Sequence, residues 1–495
     1  MSSTPLIVLL GPIAFVLIIR WLKARRHTIG PSGPLLSYLG AIKFLFRGQE
    51  MIQEGYTKYK GSMFKIPQIF YWHVIVASPR LIEDIRKARD DELSLDEMTR
   101  QVVTFLIVEW LLCDIRPSRP SKQITQSGQK NINALLPEIR EEVCAAFERF
   151  IPPTDDWVSI SVYAAILKVV SQASNRVIVG LPLCKHPELI DLNIRFTVDL
   201  FQSGMALSFV PSFLRSSTVG TNHRGEISSI GATWSRLGRK TGDISLGPVV
   251  SYTDSKRTSI MQNDFLMWLM EEATGHEREP DPLTRRVLGT NVAAIHTTSM
   301  IFGFALYELA ANPEYIIPLR EEVERVVEKE GWTKIVMQKM RKVDSFLRET
   351  LRFYGTAKTS INRMATKDFR FSDGTLIPKG GYLSATTDGI HHDEEFFPNA
   401  DVFDPWRFAN IREEDTESLK HQMVYLGREY LAFGHGKHAC PGRFFAANEL
   451  KGMLAHVVLT YDVKMEQEGV LPRPMNFGFL WGPNRSAKVM FRRRK

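Results

Sequence analysis

Phe433-Gly434-His435-Gly436-Lys437-His438-Ala439-Cys440-Pro441-Gly442-Arg443-Phe444-Phe445-Ala446 sets one cysteine on a glycine-rich turn, and a helical run, RFFAANELKGMLAHVVL, begins directly after it. A thiolate at that place faces a helix N-terminus, whose free N–H groups and dipole stabilise negative charge. Gly436 and Gly442 allow close backbone approach, so amides can point at the sulfur. Phe433 can shield one side of the site from water. A thiolate of this kind suits an axial bond to haem iron, where it pushes electron density towards the metal.

Composition bounds the rest. The 495 residues are 44% hydrophobic and 24% charged, an ordinary globular balance that excludes wholesale disorder and fibrous repeats. Cys113, Cys144, Cys184 and Cys440 are at least 31 residues apart, so there is neither a disulfide scaffold nor a CxxC pair, and a reducing compartment is expected. The net charge of +8 is concentrated at the ends: Arg20, Lys23, Arg25 and Arg26 at one, Arg492, Arg493, Arg494 and Lys495 at the other. A nucleic-acid binder carries its basic stripe on the folded body, so this distribution argues against nucleic acid and for a membrane surface. Pro5–Ile19 holds no charged side chain and is followed by KARR. With positive charge after the apolar run, the segment reads as an uncleaved single-pass anchor with the remainder on the cytosolic side. Residues 1–29 are therefore expected to form the anchor and its basic flank, and 30–495 one domain behind the Gly30–Pro34 hinge.

Within that domain, amphipathic patterns predict helices over 134–150, from Asn312-Pro313 to Gly331, and over 334–354. β-Rich runs stand at 62–77 and 368–386. Residues 285–310 are apolar nearly all round and should form a buried helix. Inside it, Thr297 can bond back to the Ala293 carbonyl and bend the helix. Glu349 and Arg352 share one helix face at i,i+3, a pairing that in isolation is worth about 0.2–0.5 kcal/mol.

FGHGKHACPG resembles the haem-binding loop of the cytochrome P-450 monooxygenase family, matching F-x-x-G-x-[R/H]-x-C-x-G at every fixed position. Two further family motifs stand upstream: E-x-x-R at Glu349–Arg352, and Phe403-Asp404-Pro405-Trp406-Arg407-Phe408, which resembles the P-x-R-F segment. The resemblance runs from the hinge to near the C-terminus. It implies a mainly α fold with small β-sheets, haem b with Cys440 as iron ligand, and a buried network of Glu349, Arg352 and Arg407. It implies His438 and Arg363 as contacts to the haem carboxylates and Thr297 as a proton-delivering group. Where the family usually has an acid before that threonine, this chain has His296, which could carry protons near neutral pH. The family's W-x-x-x-R is absent: Trp110 is followed by Asp114, and Arg116, Arg119 and Lys122 are open as substitutes.

The resemblance further implies insertion of one atom of O2 into a lipophilic substrate, with NADPH electrons arriving through a separate reductase, since no Rossmann or flavin fingerprint is visible. Cytochrome b5 is a second candidate donor. The wording is most similar to fungal, membrane-bound members of secondary metabolism, which suggests a terpenoid-like substrate and the endoplasmic reticulum membrane. The candidate pocket wall comprises the 289–297 helix face and segments near 202–214, 355–361 and 475–482. Two rival readings are a haem-thiolate dehydratase or isomerase, and a non-enzymatic membrane protein binding haem or a metal, with His435, His438 and Cys440 holding zinc.

Overall fold

The computed structural model of the chain describes residues 27–33, 35–102, 134–208, 263–414 and 418–495. The apolar segment Pro5–Ile19, and Trp110 with Arg116, Arg119 and Lys122, lie outside them.

Helix α1 (Leu36–Lys58) packs Phe44, Met51, Ile52 and Tyr56 against a hairpin of β1 (Met63–Pro67) and β2 (Trp72–Val76), the run expected to be β-rich. Helix α2 (Pro79–Lys87) starts on a first-turn proline and buries Leu81, Ile82 and Ile85. With β3 (Leu93–Ser94), β4 (Thr359–Ala365) and β5 (Tyr382–Thr386), the hairpin builds a five-stranded sheet ordered β1-β2-β5-β4-β3. β2 and β5 run parallel, and a parallel pair requires a crossover. The crossover here carries most of the helical half of the molecule; its last helix follows β5.

That half contains α3 (Leu136–Phe150), α4 (Val162–Ile178), α5 (Pro187–Ser208) and α6 (Pro280–Ala311). After them come α7 (Ile316–Glu330), α8 (Lys334–Lys339), α9 (Arg341–Phe353) and α10 (Arg443–Thr460). α6 has 32 residues, about 48 Å at 1.5 Å per residue. Among the described residues it is the helix long and apolar enough to cross a membrane, but 67% of its apolar window is buried in the body, which makes it a core helix.

Two expectations are corrected here. The helix expected over 334–354 is two, broken at Met340 (φ −72°, ψ 74°). Glu322 of α7 explains the break: its carboxylate accepts from the backbone N–H of Lys342 at 2.9 Å and of Val343 at 3.0 Å, capping α9 from another helix. The C-terminal basic cluster is also not a free tail. Arg492 pairs with Asp462 at 3.1 Å, Arg493 with Asp155 at 3.6 Å, and Arg494 with Glu324. These charges are matched by acids of the body.

Glu449 of α10 is fully buried and accepts from the Ser174 hydroxyl of α4 at 2.8 Å, while Oε2 has no partner among the described residues. Burial pushes its carboxyl up to about 8 from 4.5. Between those values the folded chain holds the proton and the unfolded chain does not, so this group lowers stability as pH rises through the window. Glu449→Gln keeps the shape without the titration. Its melting temperature is expected to match the parent near about pH 5 and to exceed it near about pH 8. Equal offsets at both pH values would refute the buried titration.

Candidate active site

The cysteine loop joins the two halves of the core. Leu431 belongs to the sheet-side core, and Phe433 packs on the helical one. The loop is closed by Gly434 N–H to Leu431 O at 2.9 Å and Cys440 N–H to Phe433 O at 2.8 Å. Gly436 has φ +74°, and a Cβ there would stand 2.4 Å from Arg86 Cγ, so glycine is required on both counts. Gly442 is different: a Cβ would meet no protein atom within 4 Å, so protein packing does not demand glycine there. What Gly442 supplies is its amide. Burial pushes the Cys440 thiol up, while the backbone N–H groups of Gly442 and Arg443 and the Arg443 guanidinium pull it down. The sulfur therefore sits half-buried with donors already aimed at it, at the start of α10.

The second element is one face of α6. Asn291, Ile295, Thr298 and Ser299 are buried, but Ala293 and Thr297, one turn apart, are exposed. These two residues form an uncovered stretch on a helix whose neighbouring positions are packed. The Thr297 hydroxyl donates to the Ala293 carbonyl at 2.7 Å, as its spacing predicts. His296 is turned elsewhere: its Nε2 is 3.3 Å from the Ile194 carbonyl of α5, and burial lowers its basicity. Consecutive helical residues point about 100° apart, so Thr297, not His296, occupies the open face. The relay expected of His296 gives way to a contact between α5 and α6.

Glu349, Arg352 and Arg407 come together as expected. The Glu349 and Arg352 side chains have no exposed surface, and Arg352 donates through Nε and Nη2 to the two carboxylate oxygens at 2.7 Å each. Arg407 Nε reaches the same carboxylate at 3.2 Å. Arg352 continues to the carbonyls of His391 at 2.5 Å and Ala400 at 2.8 Å, and Arg407 to those of Asn399 and Val402 at 3.1 and 3.0 Å. One glutamate thus organises two cations, which in turn donate to the carbonyls of the 391–402 stretch.

Comparisons with known proteins agree with this geometry. The chain matches the family Cytochrome P450 over residues 121–489. It is 40% identical to cytochrome P450 monooxygenase 151 of Postia placenta, an alignment covering 98% of this chain and 97% of the relative. The chain belongs to the cytochrome P450 family. It is also 34% identical to cytochrome P450 monooxygenase CYP512U6 of Ganoderma lucidum, over 92% of this chain and 89% of that one. The solved structure of retinoic acid-bound cyanobacterial CYP120A1 superposes with a TM-score of 0.68 at 17% identity, covering 94% of this chain and 99% of that one, which shows the shared fold. The chain is accordingly an enzyme, a cytochrome P450 monooxygenase with haem b.

The residues present fit that cofactor. Arg363 follows a register shift in β4 and is 4% exposed, yet the hydrogen bond it makes among the described residues is to the Asn362 carbonyl at 2.7 Å. Burial lowers the Arg363 guanidinium to about 10. A buried, under-satisfied cation is what a haem carboxylate requires. His438 Nε2 lies 2.7 Å from Asp90 Oδ1, so it is partly committed within the protein. The proposed zinc set does not assemble: His435 faces Glu83 at 3.6 Å, His438 faces Asp90, and the described residues hold no cluster of three metal-ligating side chains.

The sequence reading missed His391. It is buried, with Nδ1 3.1 Å from the Arg352 carbonyl and Nε2 accepting the Leu431 N–H at 2.9 Å. That pair of bonds makes the ring neutral, and burial beside Arg352 keeps it so. It links the buried charge network to Leu431, at the entrance to the cysteine loop. Beside His392 and Asp393 it reads as a solvated loop residue, and no local signal separates the two histidines.

Proposed function

We propose that this P450 is a single-pass protein of the endoplasmic reticulum membrane that oxygenates a lipophilic substrate, a terpenoid or related secondary metabolite, with NADPH electrons from a separate reductase. Bound haem supplies the activation of O2 and the redox chemistry. Cys440 would hold its iron, and Arg363 and His438 its carboxylates. The observation that carries the reading is the open face of α6. Because the Thr297 hydroxyl gives its proton to the Ala293 carbonyl, its oxygen lone pairs are left to hold a water and position a proton in the space beside it.

Thr297→Ala is expected to keep NADPH and O2 consumption in a reductase-reconstituted system while product per NADPH falls about tenfold, since water stands in for a positioned donor only in part. Unchanged product yield, with the Soret band intact, would overturn the assignment.

For the substrate, support is general. Family members act on apolar molecules, and the 289–297 face offers Ala293 and Ala294. The aromatic residues of the 475–482 segment contribute less to a pocket than their composition suggests. Phe477 packs on Phe46 at 5.9 Å, Phe479 on Phe44 at 4.6 Å, and Trp481 over Lys358 Nζ at 3.5 Å. Of the 202–214 segment, residues 209–214 lie outside the described residues. Substrate-induced Soret shifts across a terpenoid panel, against polyketide and fatty-acid panels, test the class. Lys437 and Arg443, beside the cysteine, are candidates for docking the reductase, with cytochrome b5 as a second donor, although both are partly engaged: Lys437 by Asp90 at 2.9 Å and Arg443 by the Cys440 carbonyl at 2.9 Å.

Membrane attachment draws support from α1. Leu35, Leu39, Ile42 and Phe46 lie along one side at spacings of four, three and four residues, each at least 50% exposed, opposite the face that packs. The stripe stops at Arg47, where the backbone leaves helical geometry (φ −130°, ψ 33°), and beyond it Glu50, Glu54, Thr57 and Lys58 face outward. Burying a large apolar side chain contributes about 1.5–3 kcal/mol. A chain lacking residues 1–26 is therefore expected to stay on phosphatidylcholine vesicles in flotation, and Leu39→Glu with Phe46→Glu to release it. Release of the truncated chain with its stripe intact would refute this contact.

A further inference from the structure

We propose that Asp90 is a positioning residue for the haem: it fastens the Lys437–His438 stretch of the cysteine loop and so sets the cradle that receives the haem carboxylates. Asp90 lies on the short connection between α2 and β3. Its Oδ1 is 2.7 Å from His438 Nε2 and 2.9 Å from Lys437 Nζ. Lys437 also donates to the Ala88 carbonyl at 3.2 Å. Further along, Arg86 fills the space that a side chain at Gly436 would need, and Glu83 faces His435 at 3.6 Å. Four successive loop residues, 435 to 438, thus rest on one segment, Glu83 to Asp90. That segment is rigid on its other side: β3 pairs with β4, Leu93 opposite Ala365 and Ser94 opposite Met364, next to Arg363.

A carboxylate placed among cations meant for other carboxylates could compete with the cofactor or order its partners. The distribution of contacts favours ordering. Asp90 engages the two flexible members, the half-exposed Lys437 ammonium and the His438 ring, and engages the ring through Nε2. Nδ1 has no hydrogen bond among the described residues, and it can donate to a haem carboxylate only in the imidazolium form, with a proton on both ring nitrogens. Arg363, the buried donor, makes no hydrogen bond to Asp90 and keeps its guanidinium available, though it feels that charge. Fixing mobile groups in their bound arrangement before the ligand arrives favours binding, and outer partners of this kind orient the groups that touch a cofactor.

The test is haem release from the holoenzyme, followed by transfer to excess apomyoglobin. Asp90→Ala is expected to release haem about tenfold faster, the lower end of what losing an outer partner costs, and Asp90→Glu to recover part of the loss. Asp91→Asn is the control: it breaks a neighbouring contact, to Lys367 at 3.2 Å, without touching the cysteine loop, and should release haem at the parental rate. The ferric/ferrous potential of Asp90→Ala, read on the fraction that retains haem, should also shift as the cradle loosens. Unchanged or slower release in Asp90→Ala overturns the proposal, the slower rate because it would mean competition. Equal acceleration in Asp91→Asn overturns it as well, by showing that any loosening of the connection suffices.

Discussion

Replacing Cys440 by serine is expected to remove the CO-difference band of the reduced protein and to lower turnover by about a thousandfold or more, the scale on which a single essential group acts. The reason lies in how the loop is built. Its sulfur is desolvated, which raises the thiol's pKa, and the Gly442 and Arg443 amides with the Arg443 cation oppose that only in part. A thiol here would be held as the thiolate by a bound metal sharing the charge. A serine hydroxyl, far less acidic than a thiol, would stay protonated at the same position and would offer a hard, weakly donating oxygen. The fold should survive, since the loop closes through backbone bonds, Cys440 N–H to Phe433 O and Gly434 N–H to Leu431 O. The variant therefore separates chemistry from folding: far-ultraviolet circular dichroism unchanged, band and product lost. A serine variant that kept both would refute the assignment of the ligand.

The opposite separation is expected at Glu349. Glu349→Ala would leave Arg352 and Arg407, 1% and 8% exposed, as unpaired buried cations. Breaking a buried charge pair by removing one partner costs about 3–5 kcal/mol, against a total stability of about 5–15 kcal/mol for a folded domain. Here one carboxylate serves two guanidinium groups and also accepts the Asp404 N–H at 3.0 Å, so a loss at the upper end is expected. Soluble yield should collapse, and the surviving fraction should melt well below the parent. Glu349→Gln should be intermediate, retaining acceptors but not charge. The loss should reach the haem site through Arg352, His391 and Leu431, so haem content should fall with the fold rather than independently of it. A Glu349→Ala protein that melts with the parent would mean that the arginines are satisfied by their carbonyl partners alone.

Much of this was legible in the sequence because the information is local. Cysteine before a helix start, glycine at a left-handed turn, threonine four residues after alanine and glutamate three before arginine are fixed by chain geometry, and each has the contact its spacing implies. The buried helix over 285–310 was equally plain from its composition. The break at Met340 was not, because the carboxylate that caps α9 comes from α7, 20 residues earlier in the chain. Nor was the direction of His296. Its neighbour Thr297 has the open face, and only the position of α5 explains why the imidazole turns to a carbonyl there.

By itself, the order of residues determined the chemistry on offer: one thiolate on a helix-starting turn, one hydroxyl on a core helix, and one acid set beside one arginine. Tertiary structure alone decided which groups share surroundings. Arg407 joins a glutamate 58 positions away, His391 meets Leu431 across 40, and Asp90 reaches the loop 348 residues beyond it. Spacing along a helix or turn is dictated by covalent geometry, whereas contacts between distant segments depend on how the layers pack, and no local pattern encodes that.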